Sequence, residues 1–186
     1  SDKLPLYVAE LDGENNMALT GAPKPCIYSN PEEHGFEVPG DSNTMYEGEC
    51  WLEGAWAVKN EGKYYLQYAV PGTEYRTYAD GCYVADSPMG PFAYCVNSPV
   101  SCKATGYVTG AGHGSLIRDL KGNWWKFGTA SISVNHRFER RIVMTPARFN
   151  AYGELECNMS CADYPMFLPN ESEMPVERPG TGWNRL

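Results

Sequence analysis

The sequence predicts an all-β chain of the β-propeller class, and three observations carry that expectation. The segment from Glu53 to Leu66 superposes without a gap on the segment from His113 to Lys126, at a constant offset of 60 residues. Each copy is a short strand, a charged turn closed by glycine, and a second strand opened by two aromatics (Tyr64-Tyr65, Trp124-Trp125), which is hairpin chemistry. A third strand follows in both copies, at Gly81–Pro88 and again at Arg141–Pro146, and Pro5–Asp12 reads as the same strand once more. Helix-period apolar stripes are scarce, whereas 19 glycines, 14 prolines, 13 tyrosines and 5 tryptophans favour strands and turns over helices.

In chain order, residues 1–49 read as the late part of a blade followed by a linker, residues 50–105 as one whole blade and residues 106–169 as the next. Residues 170–186 are polar and rich in proline and glycine, and read as an exit linker. Repeats of this size, all strand, sit slightly above the roughly 40–50 residues usual for propeller blades. The chain therefore holds about two and a half blades, where a ring needs at least about four. The first strand of each blade lines the central channel, so Glu53 and His113, at equivalent positions, are expected to share one pocket.

Charge and composition exclude several classes. A net charge of −8 and no clustered basic patch argue against a nucleic-acid partner. No run of 18 apolar residues is present, so no membrane span is expected. Neither a P-loop nor a Rossmann glycine pattern occurs. Seven cysteines, an odd number with no Cys-x-x-Cys spacing, read mainly as buried thiols, with a cross-strand disulfide left open.

The residues around Glu53 and His113 carry a family resemblance. Trp51-Leu52-Glu53-Gly54-Ala55 followed by Gly62-Lys63-Tyr64-Tyr65-Leu66-Gln67-Tyr68 resembles the acid motif and following hairpin of glycoside hydrolase family 43, with Ala55 where many members have proline. Gly112-His113-Gly114-Ser115 resembles the family's Gly-His motif, and Ser87-Pro88-Met89-Gly90-Pro91-Phe92 its outer turn. The resemblance implies a five-bladed β-propeller glycosidase that cleaves arabinosides or xylosides of plant polysaccharides with inversion, acting in the periplasm or outside the cell. It implies no required cofactor, but allows a calcium ion in the channel, touched by His113 through water.

An inverting glycosidase needs a protonated carboxyl for the leaving oxygen and a carboxylate that activates water, roughly 6.5–9.5 Å apart. Glu53 is the candidate general acid, and flanking Trp51 and Trp56 are expected to give it an apolar surround. Trp51, Trp56 and Tyr68 offer stacking faces for sugar rings, and His113, His136 and Arg140 offer hydrogen bonds to hydroxyls. His34 reads as loop decoration.

The base is the difficulty. By the resemblance, the base aspartate and a second, pKa-tuning aspartate come from blades upstream of residue 1. Asp41, Asp80 and Asp86 are expected in loops or outer turns and do not replace them. The missing blades, or another chain, are expected as partners beside the saccharide. A non-catalytic glycan-binding fragment and a purely structural propeller fragment are the competing readings.

Overall fold

The computed structural model describes residues 4–46, 50–132, 136 and 138–164. The exit linker expected at 170–186 lies outside the described residues, as does the end of the second blade beyond Tyr164. Twelve strands run through the described residues: β1 Leu6–Val8, β2 Leu11–Asp12, β3 Ala18–Leu19, β4 Lys24–Ile27, β5 Glu53–Asn60, β6 Lys63–Val70, β7 Ala79–Ala85, β8 Ala93–Tyr94, β9 Thr109–Arg118, β10 Trp124–Ser131, β11 Arg140–Phe149 and β12 Leu155–Cys157. Two four-stranded antiparallel meanders, β5-β6-β7-β8 and β9-β10-β11-β12, form the bulk of the chain. Ahead of them, β1 pairs with β4 and β2 with β3.

Local chemistry explains the meanders. Asn60 pairs with Lys63 across β5 and β6, leaving Glu61-Gly62 as a two-residue loop. Both residues have positive φ (46° and 86°), the turn geometry whose twist matches the strands it joins. Between β9 and β10 the turn is held by a side chain. Asp119 accepts the amides of Lys121 and Asn123 on one carboxylate oxygen, and the side-chain N–H groups of Asn123 and Trp125 on the other.

The core lies between sheets. Strand β6 is covered on both faces, so its period-2 alternation sorts residues between two neighbours. Leu66, Tyr68 and Val70 face Ile27, Cys50 and Leu52 of the N-terminal segment. Tyr65 faces the second meander, clustering with Leu116, Ala147 and Leu155, and its hydroxyl donates to the Gly153 carbonyl at 2.7 Å. Further bonds stitch the same seam, from Trp56 Nε1 to the Leu116 carbonyl and from Asn97 Nδ2 to the Leu155 carbonyl.

Three expectations need correction here. Tyr68 is fully buried and its hydroxyl donates to Glu37 Oε1 at 2.6 Å, so it has no open face for a sugar. A two-faced burial cannot be told from one-faced alternation by counting aromatics. His34 is buried rather than decorative: it stacks on Tyr94 at 3.8 Å and sits 3.0 Å from the buried carboxylate of Glu37. Asp80 lies inside β7, wholly buried, and not in a loop. No disulfide joins the seven cysteines; Cys50, Cys82 and Cys95 are buried and the other four partly so.

Candidate active site

Both inner strands are bulged near corresponding places in the repeat, and β9 carries a second irregularity between Thr109 and Gly112. Glu53 pairs with Ala69 and Trp56 with Gln67, three residues advanced on β5 against two on β6. On β9, Gly112 pairs with Thr129 and Ser115 with Phe127, the same excess. These are β-bulges, which break the ladder locally and re-aim a side chain. Gly54 in the first bulge has φ +60°, and His113 in the second has φ +51°.

A bulge leaves amides without ladder partners, and here Asp80 of the neighbouring meander takes them. Its two carboxylate oxygens accept the backbone N–H of His113 at 2.9 Å and of Gly114 at 3.2 Å. Lys126 of β10 pairs with the same carboxylate and donates to Gln67 Oε1 at 2.8 Å. Both charged side chains are 1% exposed. Burial of either charge is tolerable only because the other, and these hydrogen bonds, compensate it. Gly114 has no room for a side chain, since a Cβ would run into the Phe127 carbonyl and the Lys126 side chain.

Aimed this way, Glu53 and His113 meet at a third residue. Tyr78, just before β7, donates its hydroxyl to Glu53 Oε1 at 2.5 Å and lies 3.2 Å from His113 Nδ1. His113 Nδ1 is 3.5 Å from Glu53 Oε1. Two glycines make the space. A Cβ on Gly112 would sit 2.7 Å from the Tyr78 ring, and one on Gly54 would sit 3.0 Å from the His113 ring. Burial, then the bond to Glu53 and its charge, push the Tyr78 phenol well above its ordinary pKa, so it keeps its proton. Tyr78 is buried, whereas Glu53 is 34% and His113 54% exposed, so carboxylate and imidazole open to solvent.

Arg140, at the start of β11, lies with its guanidinium 5.5 Å from the Tyr78 ring centre and donates Nη1 to the Gly110 carbonyl at 3.0 Å. Its Nε and Nη2 are buried with no hydrogen-bond partner among the described residues. Burial holds its pKa below the ordinary arginine value.

The remaining expected site residues are dispersed. Trp51 and Trp56 are 52% and 41% exposed, and the group bonded to Glu53 is the Tyr78 hydroxyl. His136 lies in the segment joining β10 to β11, exposed, its Nδ1 accepting the Phe138 amide. Ser133, Val134, Asn135 and Arg137 of that segment lie outside the described residues. Asp41 accepts the Arg76 amide, and Asp86 pairs with Lys63 at the outer edge of the first meander. Tyr78, Asp80 and Lys126 went unrecognised in the sequence. One signal was available: a lysine inside Trp124-Trp125-Lys126-Phe127 needs a buried counter-charge wherever that run is covered on both faces.

No group of three His, Cys, Asp or Glu side chains fit to hold a metal occurs among the described residues. Calcium takes six to eight oxygens. One imidazole and one carboxylate cannot fill that shell by direct ligation, and an ion touched by His113 only through water would take the rest of its oxygens from water or from residues other than these.

Comparison with known proteins agrees with this architecture. The model of glycosyl hydrolases family 43 matches residues 14–155. A xylosidase/arabinosidase of Bacteroides ovatus is 32% identical over 155 residues, 83% of this chain and 42% of that protein. A beta-xylosidase of Xylanibacter ruminicola is 28% identical over 158 residues, 83% of this chain and 43% of that protein. The chain thus spans less than half the length of both curated relatives. Among solved structures, a thermostable family-43 glycoside hydrolase superposes with a TM-score of 0.73 at 21% identity, covering 91% of this chain and 53% of that one. That likeness carries the fold, a propeller of the five-bladed type, of which about two and a half blades are present here.

Proposed function

This chain belongs to glycosyl hydrolases family 43, and from that premise we propose that it forms the acid-bearing part of a glycosidase acting on xylosides or arabinosides with inversion. The observation that carries the proposal is the meeting of Glu53, Tyr78 and His113 at the bulged inner strands of two adjacent blades. Glu53 is the general acid: as the glycosidic C–O bond breaks, its proton passes to the leaving oxygen. A water molecule on the opposite face of the sugar attacks the anomeric carbon and gives its proton to a carboxylate base. His113 holds sugar hydroxyls, and Trp51 and Trp56 offer faces for stacking.

The base comes from outside residues 1–186. Asp80 is committed to Lys126 and two amides, Asp41 to Arg76 and Asp86 to Lys63. The same three commitments favour the second reading, a glycan-binding fragment without hydrolysis. A polymeric substrate further suggests work in the periplasm or beyond the cell.

The test is turnover of aryl xylosides and arabinofuranosides by the 186-residue chain and by the protein expressed with the coding sequence that precedes Ser1. Hydrolysis by the longer protein alone is the expected result. Binding of xylo- or arabino-oligosaccharides without hydrolysis by either would replace the enzyme reading with the second one.

A further inference from the structure

Tyr78 has one hydroxyl proton and two polar neighbours, Glu53 Oε1 at 2.5 Å and His113 Nδ1 at 3.2 Å. At pH 8, where an ordinary carboxyl is ionised, a charge-assisted bond is the shorter and stronger of such a pair, so the proton lies toward Glu53. The phenol oxygen then has only lone pairs to offer His113. A pyridine-type Nδ1 would set lone pair against lone pair, whereas an Nδ1–H donates to the oxygen. Glu53 itself is 3.5 Å from Nδ1, too far for a good hydrogen bond, so Tyr78 is the acceptor that matters. The ring is held at the other side too, because it lies against the bare Cα of Gly54 and its backbone amide is tied to Asp80.

We propose that Tyr78 is a positioning residue that fixes His113 as the Nδ1–H tautomer, leaving Nε2 as a bare lone pair turned to the pocket. Nε2 has no hydrogen-bond partner among the described residues, and the side chain is half exposed. It is therefore an acceptor for a hydroxyl donor, and under the glycosidase reading above that donor is a sugar hydroxyl. The usual preference of a free imidazole in water is the opposite tautomer, with the proton on Nε2. A built-in reversal at this site makes His113 an acceptor toward the ligand.

The tautomer is read directly by long-range 1H–15N correlation on the 15N-labelled 186-residue chain at pH 8, where an ordinary imidazole is neutral. The expected spectrum of His113 shows a pyrrole-type Nδ1 and a pyridine-type Nε2. Tyr78→Phe keeps the ring and removes the acceptor, and should shift the majority of His113 to the Nε2–H form. A wild-type spectrum with the proton on Nε2 overturns the proposal even if the variant does not fold. An unchanged Nδ1–H spectrum in folded Tyr78→Phe overturns the role given to Tyr78. Hydrolysis plays no part in this readout, so failure of the longer protein, expressed with the coding sequence that precedes Ser1, to turn over a glycoside would remove the glycosidase reading and leave an Nδ1–H result standing.

Discussion

Among single residues, Asp80 has the most to lose from substitution. Its carboxylate ends a buried ion pair, receives the two amides freed by the β9 bulge and bridges two blades. Removing one member of such a pair leaves an uncompensated buried charge, at a cost of about 3–5 kcal/mol. Asp80→Asn and Lys126→Met are each expected to lose stability of that order in urea unfolding, and a loss below about 1 kcal/mol would show the pair to be incidental. The bulge glycines should separate by what their Cβ would strike. Gly114→Ala meets a backbone carbonyl and is expected to destabilise by at least about 1–3 kcal/mol. Gly54→Ala meets the His113 ring in a left-handed backbone, and should cost about 1–2 kcal/mol while displacing that ring. Thermal melts would rank the two. Glu53 and His113 were legible because they lead equivalent strands of a repeat. Asp80 was not, because an aspartate beside a glycine has the local signature of a turn, and only its partner on a strand 46 residues on explains its burial.

Among the elements, the hairpins were legible because their chemistry is local. Glu61-Gly62 and Asp119–Asn123 announce turns within a few residues, and the strands beside them follow. The bulges were legible only as oddly placed glycines, since a bulge is a relation between two strands. The β9–β10 turn makes a pH prediction. Hydrogen bonds from Trp125, then Asn123 and the turn amides, hold the Asp119 carboxyl at about 2 against an ordinary 3.8. A depressed native pKa means that the unfolded state binds the proton first, so the contribution is present above about pH 4 and is lost as pH falls toward 2. Asp119→Asn should flatten the acid limb of stability against pH over that window while leaving the neutral limb parallel to wild type. An acid limb unchanged in steepness would mean that the turn does not depend on the charge.

For the whole molecule, stability lies in the seams between sheets. One cluster joins Tyr65, Cys82, Cys95 and Val100 of the first blade to Leu116, Ala147 and Leu155 of the second, and another seats the N-terminal segment on the far face of β6 and β7. The N-terminal strands meanwhile leave Leu4, Tyr7, Leu11, Met17, Leu19 and Tyr28 exposed. Exposed large apolar side chains concentrated on one segment fit an interface, and further blades are the proposed cover. The 186-residue chain should accordingly self-associate in sedimentation at micromolar concentrations, less so when Leu11 and Leu19 are changed to serine. A concentration-independent monomer of 20.7 kDa would contradict the missing partner. The proposed protonation of the leaving group by Glu53 is tested most directly by Glu53→Gln in the protein expressed with the coding sequence that precedes Ser1. Activity on an alkyl xyloside or arabinoside, whose leaving oxygen needs the proton, should fall about 10²–10⁴-fold, while an aryl glycoside with an acidic phenol loses far less. Equal losses on both substrates, or turnover unaffected by Glu53→Gln, would contradict it.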